Sequence, residues 1–419
     1  MSGAGTYTPS QSGRTAAQPS GNARRFSDQA RIWWREIDKP LLFLVLLLMA
    51  FGTVAVAAAA PAAAEQLGRR GIEVGEFYYL KQHIVWQVMG IGGMIAVSFL
   101  DRDSARRLGI VVFALFLFLL FLVPLIGAEK NGARRWLEFG MSLQPSEFLK
   151  PGFAIMLAWI LSWKLRDQNL PVLTFATAIM GLIAGLLMLQ PNLGATILFG
   201  GIWFVLVLLA GVSIQRIGAL IGGGVVLLTA AYLFYDNARY RIDSFLGGGT
   251  AFDQVDLAQR TLLAGGWTGS GLWLGRRKMN LPEPHTDYIF SVIGEEFGLL
   301  ICALIVLVYL AIIGKALMRL VDEDNLFALL AGAGLVTQIG GQAFINILVN
   351  LQLFPSKGMT LPLISYGGSS TLAVCLTIGL LLAITRRNPF LKRESSGLKD
   401  LFERPKADRP QAGHKEDRA

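Results

Sequence analysis

Three carboxylates lie at the start of one apolar segment, in the string LPEPHTDYIFSVIGEEFG at residues 281–298. Asp287 precedes the apolar residues, and Glu295 and Glu296 follow it by about two helical turns. Considered by itself, Asp287 is suited to cap a helix, because an acid near a helix N-terminus complements the helix dipole. The three carboxylates together favour a polar cavity, in which a positioned carboxylate can accept a proton during catalysis.

A second group of ionisable residues lies in the string NGARRWLEFGMSLQPSEFLK at residues 131–150. Glu147 and Lys150 are three residues apart, so they would share one face of a helix. They form either an ion pair that tolerates burial or part of a polar pathway, since an ionisable side chain in lipid costs several kcal/mol. Arg135 lies upstream in the same string.

Two further strings interrupt apolar runs with proline and glycine. Residues 344–370, FINILVNLQLFPSKGMTLPLISYGGSS, cannot form one continuous helix. Non-helical backbone at membrane depth is tolerated only beside protein or a water-filled cavity, so we expect this string to line the same cavity as Asp287. Residues 190–196, QPNLGAT, are interpreted as a bent helix mouth with a structural role.

The composition places these strings in a membrane protein. Of the 419 residues, 53% are hydrophobic and 16% are charged. Apolar runs recur that are long enough to cross a hydrocarbon core of ~30 Å as helices. The net charge of +9 comes mostly from cations beside hydrophobic ends, as the positive-inside rule predicts, and does not indicate nucleic acid. Cys302 and Cys375 lie inside apolar runs and carry no disulfide or metal signature.

The predicted fold is an all-α polytopic membrane protein. Ten transmembrane helices are predicted, at 41–63, 84–100, 108–128, 146–163, 171–189, 195–212, 217–235, 288–313, 326–350 and 360–385. Cations before the first span, after the second and after the last place both termini in the cytoplasm. Residues 1–39 and 388–419 are then cytoplasmic tails, the first of them disordered, and residues 40–387 form the ten-helix catalytic domain.

The outer segments of this topology include a periplasmic loop at about 236–287 and carry cations, with Arg135 and Lys357 among them. Long loops cross a membrane regardless of charge, so these cations are either without function or a site for an anionic substrate. The glycines at 265–275 face outward and follow no strand, which argues against a nucleotide site.

Taken together, these strings resemble the SEDS family (shape, elongation, division and sporulation) of peptidoglycan glycosyltransferases. The resemblance rests on NGARRW, QPSEFLK, LPEPHTDYIFSVIGEEFG, FINI and PSKGMTLPLISYGGSS, which spread across nearly all ten predicted spans. It implies a bundle of ten transmembrane helices that polymerises lipid II. The long tails and the ISYGGSS string are more similar to the division-type FtsW branch than to the elongation-type RodA branch, which remains an alternative. Asn192, Phe297 and Ser356 replace the aspartate, leucine and threonine of the family pattern.

The resemblance also implies roles for individual residues. Asp287 would be the catalytic general base that takes the proton from the acceptor sugar's C4 hydroxyl, and Arg135 and Lys150 would hold the leaving undecaprenyl diphosphate as the linkage inverts. The residues expected to bind substrate are Arg135, Glu147, Lys150, His285, Glu295, Lys357 and Ser369. No residue is predicted to bind a metal or cofactor, and a divalent cation, Mg²⁺ or Mn²⁺, is an additional candidate for holding the diphosphate.

The implied substrates and partners belong to cell-wall synthesis in the bacterial inner membrane at the division septum. They are lipid II, undecaprenyl-linked glycan, an FtsI-like class B penicillin-binding protein that crosslinks the product, and the division proteins FtsQ, FtsL, FtsB and FtsN. Two other functions stay open: a transporter that flips lipid II and a non-catalytic scaffold for division. Polar strings concentrated at the outer face favour the transferase, because a transporter needs polar groups along its whole path.

Overall fold

Helices dominate the computed structural model, which describes residues 21–130, 133–138, 140, 142–165, 170–211, 214–236, 239, 243, 250–355 and 358–387. The helices are α1 Gly21–Glu36, α2 Lys39–Gly68, α3 Tyr78–Ser98, α4 Arg102–Ile126, α5 Pro145–Ser162, α6 Val172–Leu189, α7 Leu193–Leu209, α8 Ile214–Phe234, α9 Thr250–Ala264, α10 Ile289–Phe297, α11 Leu299–Val321, α12 Leu326–Asn350 and α13 Gly368–Ile384. Short 3₁₀ turns occur at Trp163–Leu165 and Arg277–Asn280.

Several of these helices are long and apolar enough to cross a membrane. Within the described ranges five qualify by length and hydropathy, namely α2, α4, α6, α11 and α12, while α7, α13 and residues 221–234 are apolar but shorter. The chain is therefore a multi-pass membrane protein. Each of the ten predicted spans overlaps a helix, but the number of crossings and the side of the termini stay predictions.

The eighth predicted span, 288–313, is wrong as a single helix. Gly298 separates α10 from α11 with φ 84° and ψ 170°, which is not helical backbone. A Cβ at this position would collide with the backbone carbonyl of Trp267, so the loop that carries Trp267 packs directly against the break. As a result α10 is a nine-residue helix beside the loop, and the apolar helix of membrane length begins at Leu299.

The fold is also not entirely α-helical. Strands β1 Ala128–Lys130, β2 Ala133–Glu138 and β3 Ser142–Leu143 form a small antiparallel sheet in the order β1-β2-β3. The sheet connects the end of α4 to the start of α5, and Leu137 anchors it with only 1% of its surface exposed. Its middle strand carries Arg135.

Glycines bring the helices that support the site into close contact. A Cβ on Gly152 of α5 would lie 2.6 Å from the backbone nitrogen of Phe113 on α4. A Cβ on Gly90 of α3 would lie 2.7 Å from Sγ of Cys375 on α13, where the buried thiol acts as a small apolar group. Small residues allow helices to approach closely within a membrane, where dispersion contacts drive their association.

Candidate active site

Asp287 lies in the non-helical segment that precedes α10. The N-cap of α10 is Tyr288, so Asp287 stands one residue before the cap position. Its backbone carbonyl accepts hydrogen bonds from the side-chain amides of Asn346, at 2.8 Å, and Asn350, at 3.1 Å. The backbone of Asp287 is thus held by α12, and the helix-cap interpretation does not describe its position.

Arg135 and Asp287 meet at Gly358. A Cβ on Gly358 would lie 3.4 Å from Oδ2 of Asp287 and 3.7 Å from Nη1 of Arg135. Gly358 has a φ of +59°, in the left-handed region that favours glycine. The 344–370 string, which the sequence predicts to share a cavity with Asp287, therefore approaches Asp287 at this glycine.

The turn between α6 and α7 orients Arg135. Its Nε donates to the carbonyl of Gln190 at 3.1 Å, and its Nη2 donates to the carbonyl of Pro191. This turn is the predicted bent helix mouth. Asn192 caps α7 by accepting a hydrogen bond at Oδ1 from the Ala195 amide at 3.3 Å. Asparagine can cap a helix as well as the aspartate of the family pattern.

Lys150 and Glu147 form an ion pair near the start of α5. Their Nζ and Oε1 atoms are 2.7 Å apart, and the exposed fraction of the two side chains is 1% and 13%. Lys150 also donates to Oε1 of Gln342 on α12 at 2.9 Å. Gln342 in turn donates to the backbone carbonyl of Thr360 at 3.1 Å. Lys150 is therefore linked through one side chain to the segment that carries Gly358.

His285 is a buried aromatic neighbour of the site. Its ring centroid is 4.1 Å from that of Tyr79 and 5.3 Å from that of Tyr366. Burial lowers the pKa of His285 to about 3, so the ring is neutral at pH 7. The structure thus gives His285 a packing position, in which it cannot hold a diphosphate by charge.

Ser369 lies in the first turn of α13 and joins three elements. Its hydroxyl donates to the carbonyl of Ser142 at 3.0 Å and accepts from the amide of Gln144 at 3.2 Å. These bonds tie α13 to β3 and to the residue that precedes α5. The Ser369 hydroxyl therefore has two backbone partners, and its contact with substrate stays a prediction.

The carboxylates of Glu295 and Glu296 are bound by the loop that precedes Asp287, contrary to the expectation that three carboxylates share one cavity, while substrate binding by Glu295 stays a prediction. The oxygens of Glu295 accept from the backbone amides of Arg277, at 2.7 Å, and Lys278, at 2.8 Å. Glu296 accepts from the Gly275 amide at 3.2 Å and pairs with the ammonium of Lys278. Both carboxylates are almost fully buried, so they organise the loop between Trp273 and Lys278.

Two further predictions concern Lys357 and a divalent cation. Lys357 and the substituted Ser356 lie outside the described residues. Among the residues that are described, no three His, Cys, Asp or Glu side chains are grouped as a metal site.

The sequence interpretation missed the amides of α12. Gln342, Asn346 and Asn350 contact Lys150, Asp287 and the segment after Gly358. The signal was present, because the three amides recur every four residues in an otherwise apolar helix and so share one face. Polar side chains inside a membrane helix indicate a functional or packing role.

Comparison with known proteins places this geometry in a family. The family model FTSW_RODA_SPOVE, described as a cell cycle protein, matches residues 39–389. A protein of Caulobacter vibrioides named probable peptidoglycan glycosyltransferase FtsW is 34% identical over 364 residues, which cover 85% of this chain and 91% of the relative. A protein of the same name from Geobacter metallireducens is 32% identical over 366 residues, with 84% and 95% covered.

Solved structures give the same result. A chain from a structure described as the structural coordination of polymerization and crosslinking by a peptidoglycan synthase complex is 26% identical, with a TM-score of 0.70, and 83% of this chain and 97% of that chain are covered. The rod shape determining protein RodA of Thermus thermophilus is 26% identical, with a TM-score of 0.61 and coverage of 84% and 97%. Matched along most of its length by the family model, by curated relatives and by solved structures, this chain belongs to the FtsW/RodA/SpoVE family.

Proposed function

We propose that this chain is a peptidoglycan glycosyltransferase that polymerises lipid II during cell division, with Asp287 as the general base. The observation that carries the proposal is the meeting of the Asp287 carboxylate and the Arg135 guanidinium at Gly358. Glycosyl transfer from a diphosphate donor needs both groups, a base for the acceptor and a cation for the leaving group. The names of the relatives from Caulobacter and Geobacter support the same activity.

The reaction joins the C4 hydroxyl of one GlcNAc to the anomeric carbon of a MurNAc on a lipid-linked donor. Asp287 takes the hydroxyl proton as the new C–O bond forms, because a sugar hydroxyl is a poor nucleophile near neutral pH. The bond from the anomeric carbon to the diphosphate breaks, and undecaprenyl diphosphate leaves with the electron pair. Attack from the face opposite the leaving group inverts the anomeric centre.

Arg135 and Lys150 hold the diphosphate as it leaves. Preorganised donors aimed at developing charge are worth more in a water-excluded site than in water. Arg135 is preorganised by two carbonyls of the α6–α7 turn, and Lys150 by Glu147 and Gln342. Because Lys150 shares its charge with Glu147, we assign the larger part of the stabilisation to Arg135.

The proposed setting is the bacterial inner membrane at the division septum. Ten crossings, cytoplasmic termini with tails at 1–39 and 388–419, and an outer loop at about 236–287 would put Asp287 on the periplasmic side, where lipid II sugars are polymerised. A class B penicillin-binding protein is the proposed partner, because glycan strands need crosslinking. Support comes from the related chain in the complex that coordinates polymerization with crosslinking.

The experiment is glycan synthesis from lipid II by the purified protein with its partner, followed on gels. Asp287→Asn keeps the side-chain size but cannot accept the proton, so we expect a loss of at least ~10²–10⁴-fold, the range for a general base. Glu283→Gln is the matched control, since Glu283 is a partly buried acid in the same segment that accepts from the Thr286 hydroxyl at 3.3 Å. Chains of wild-type length from Asp287→Asn, or lipid II flipping without polymerisation, would overturn the proposal.

A further inference from the structure

One face of α12 carries an unbroken row of buried amides. Gln338, Gln342, Asn346 and Asn350 are spaced four residues apart, and none of them exposes more than 2% of its surface. Residues four apart lie above one another on a helix, so the row runs along a single stripe. A buried amide without hydrogen-bond partners is unfavourable, so the hydrogen bonds of these four side chains identify the segments that the row holds in place.

Asn346 is the member of the row that connects the two segments flanking the site. Its Nδ2 donates one hydrogen bond to the carbonyl of Asp287, at 2.8 Å, and one to the carbonyl of Met359, at 2.6 Å. The Asp287 segment and the Met359 segment are both non-helical, so neither backbone is fixed by a helix of its own. One side chain therefore links Asp287 directly to Met359, beside the Ser365 hydroxyl, which donates to the carbonyl of Thr286 at 2.6 Å and accepts from the amide of Leu361 at 2.8 Å.

The neighbouring amides extend this arrangement on both sides. Asn350 donates to the same Asp287 carbonyl at 3.1 Å, and its Oδ1 accepts from the Ser291 hydroxyl at 2.7 Å, which attaches the row to the first turn of α10. Gln342 holds Thr360, the residue after Met359, together with Lys150. Asn346 stands in the row between Asn350, which contacts the proposed base Asp287, and Gln342, which contacts the proposed cation Lys150.

We propose that Asn346 is a positioning residue that fixes Asp287 against the segment of Gly358 and Met359. The inference rests on the proposed role of Asp287 as general base. Asn346 acts through the Asp287 backbone, because the direction of a side chain follows from the backbone that carries it. Losing both hydrogen bonds removes the link between Asp287 and Met359 and leaves the Asp287 carbonyl with Asn350 alone among these amides. A displacement of about 1 Å at the reacting group can lower a catalysed rate about 10²-fold.

The test compares Asn346→Leu with Gln338→Leu in the full-length protein with its partner. Gln338 belongs to the same stripe, is equally buried and donates to Thr377 Oγ1 of α13 at 3.0 Å, away from the Asp287 segment. We expect the larger fall in melting temperature for Asn346→Leu, which loses two donated hydrogen bonds against one for Gln338→Leu, so rates are compared at a temperature at which both variants are folded. We expect kcat for lipid II polymerisation to fall about 10- to 100-fold only in Asn346→Leu, with KM unchanged.

Three results separate this inference from the proposed function. Equal kcat losses in the two leucine variants, or a raised KM with normal kcat in Asn346→Leu, would overturn the positioning role. Wild-type rates from Asp287→Asn would instead overturn the general base itself. If Asn346→Leu does not fold, Asn346→Ser retains one donor and space for a water, and the same kcat loss with unchanged KM is expected to be smaller but present.

Discussion

Asp287 and Arg135 reach the same small space from different parts of the chain, with Oδ2 of the acid 3.4 Å and Nη1 of the arginine 3.7 Å from the position of a Cβ on Gly358. Asp287 comes from the segment before α10, Arg135 from strand β2, and Gly358 from the segment before α13. Only a residue without a side chain leaves this space open. The identity of residue 358 should therefore matter for the reaction as much as for folding.

Gly358→Ala should abolish most polymerisation, and its loss of stability should be no larger than that of a control glycine-to-alanine change. Gly266→Ala is the matched control, because Gly266 has φ +57° against +59° for Gly358, and a Cβ there would meet nothing within 4 Å. Both alanines carry a left-handed strain of roughly 1–2 kcal/mol. Melting temperatures should fall alike, and only Gly358→Ala should lose at least about tenfold in rate. Similar rates in the two variants would show that the space above Gly358 is not used.

Arg135→Ala should lower turnover while Arg134→Ala does not. The two arginines are neighbours in β2, but Arg134 exposes 55% of its side chain and pairs at 3.4 Å with the exposed Glu129. Such surface pairs contribute little. Removing one preorganised donor to developing charge typically lowers kcat by about 10²–10³-fold. Steady-state rates of both variants with lipid II provide the measurement. Equal rates would mean that Arg135 holds the α6–α7 turn and does not stabilise the leaving diphosphate.

The sequence predicted the charged residues of the candidate site better than the residues that hold them. Asp287, Arg135 and Lys150 are unusual in an apolar chain, so their types alone were informative. The amides of α12 are more deeply buried than Asp287 and Arg135, but amides are less conspicuous than charges in an apolar sequence. Their role depends on which non-helical carbonyls pack against α12, and that is a tertiary property.

Two errors of the sequence interpretation, the unbroken eighth span and the grouping of Glu295 and Glu296 with Asp287, have one physical cause, the loop that precedes Asp287. Gly298 lies in an apolar run that favours helix, and it breaks the helix because the loop packs against it at Trp267. Glu295 and Glu296 were grouped with Asp287 by spacing, yet the amides between Trp273 and Lys278 bind them. Helical periodicity gives the spacing of side chains along a helix, but it does not reveal which partner covers each face.

Lys150→Met should destabilise the fold more than the double change Lys150→Met with Glu147→Gln. The single variant leaves a largely buried carboxylate whose Oε2 already has no hydrogen-bond partner among the described residues. Breaking a buried ion pair on one side typically costs about 3–5 kcal/mol, and neutralising the other side removes most of that cost. Thermal melts should show the recovery. Polymerisation should stay impaired in the double variant, because the cation for the diphosphate is still missing.

Acid should destabilise the protein through His285, and His285→Phe should remove that part of the pH dependence. Burial lowers the pKa of His285 from its ordinary 6.5 to about 3. Between these values the unfolded state binds a proton that the folded state does not, so stability falls as the pH drops below about 6.5. The loss reaches about 2 kcal/mol at pH 5 and is absent above pH 7.

Phenylalanine is a suitable replacement because the His285 ring packs between Tyr79 and Tyr366, and its Nδ1 has no hydrogen-bond partner among the described residues. Melting temperatures of the wild type and His285→Phe should be measured in one detergent from pH 7.5 to pH 4.5. The wild-type curve should fall more steeply below pH 6.5, while the two curves run parallel above it. Curves that stay parallel across the whole range would contradict the prediction. They would mean that His285 is protonated in the folded protein without a loss of stability, as a water-exposed histidine would be.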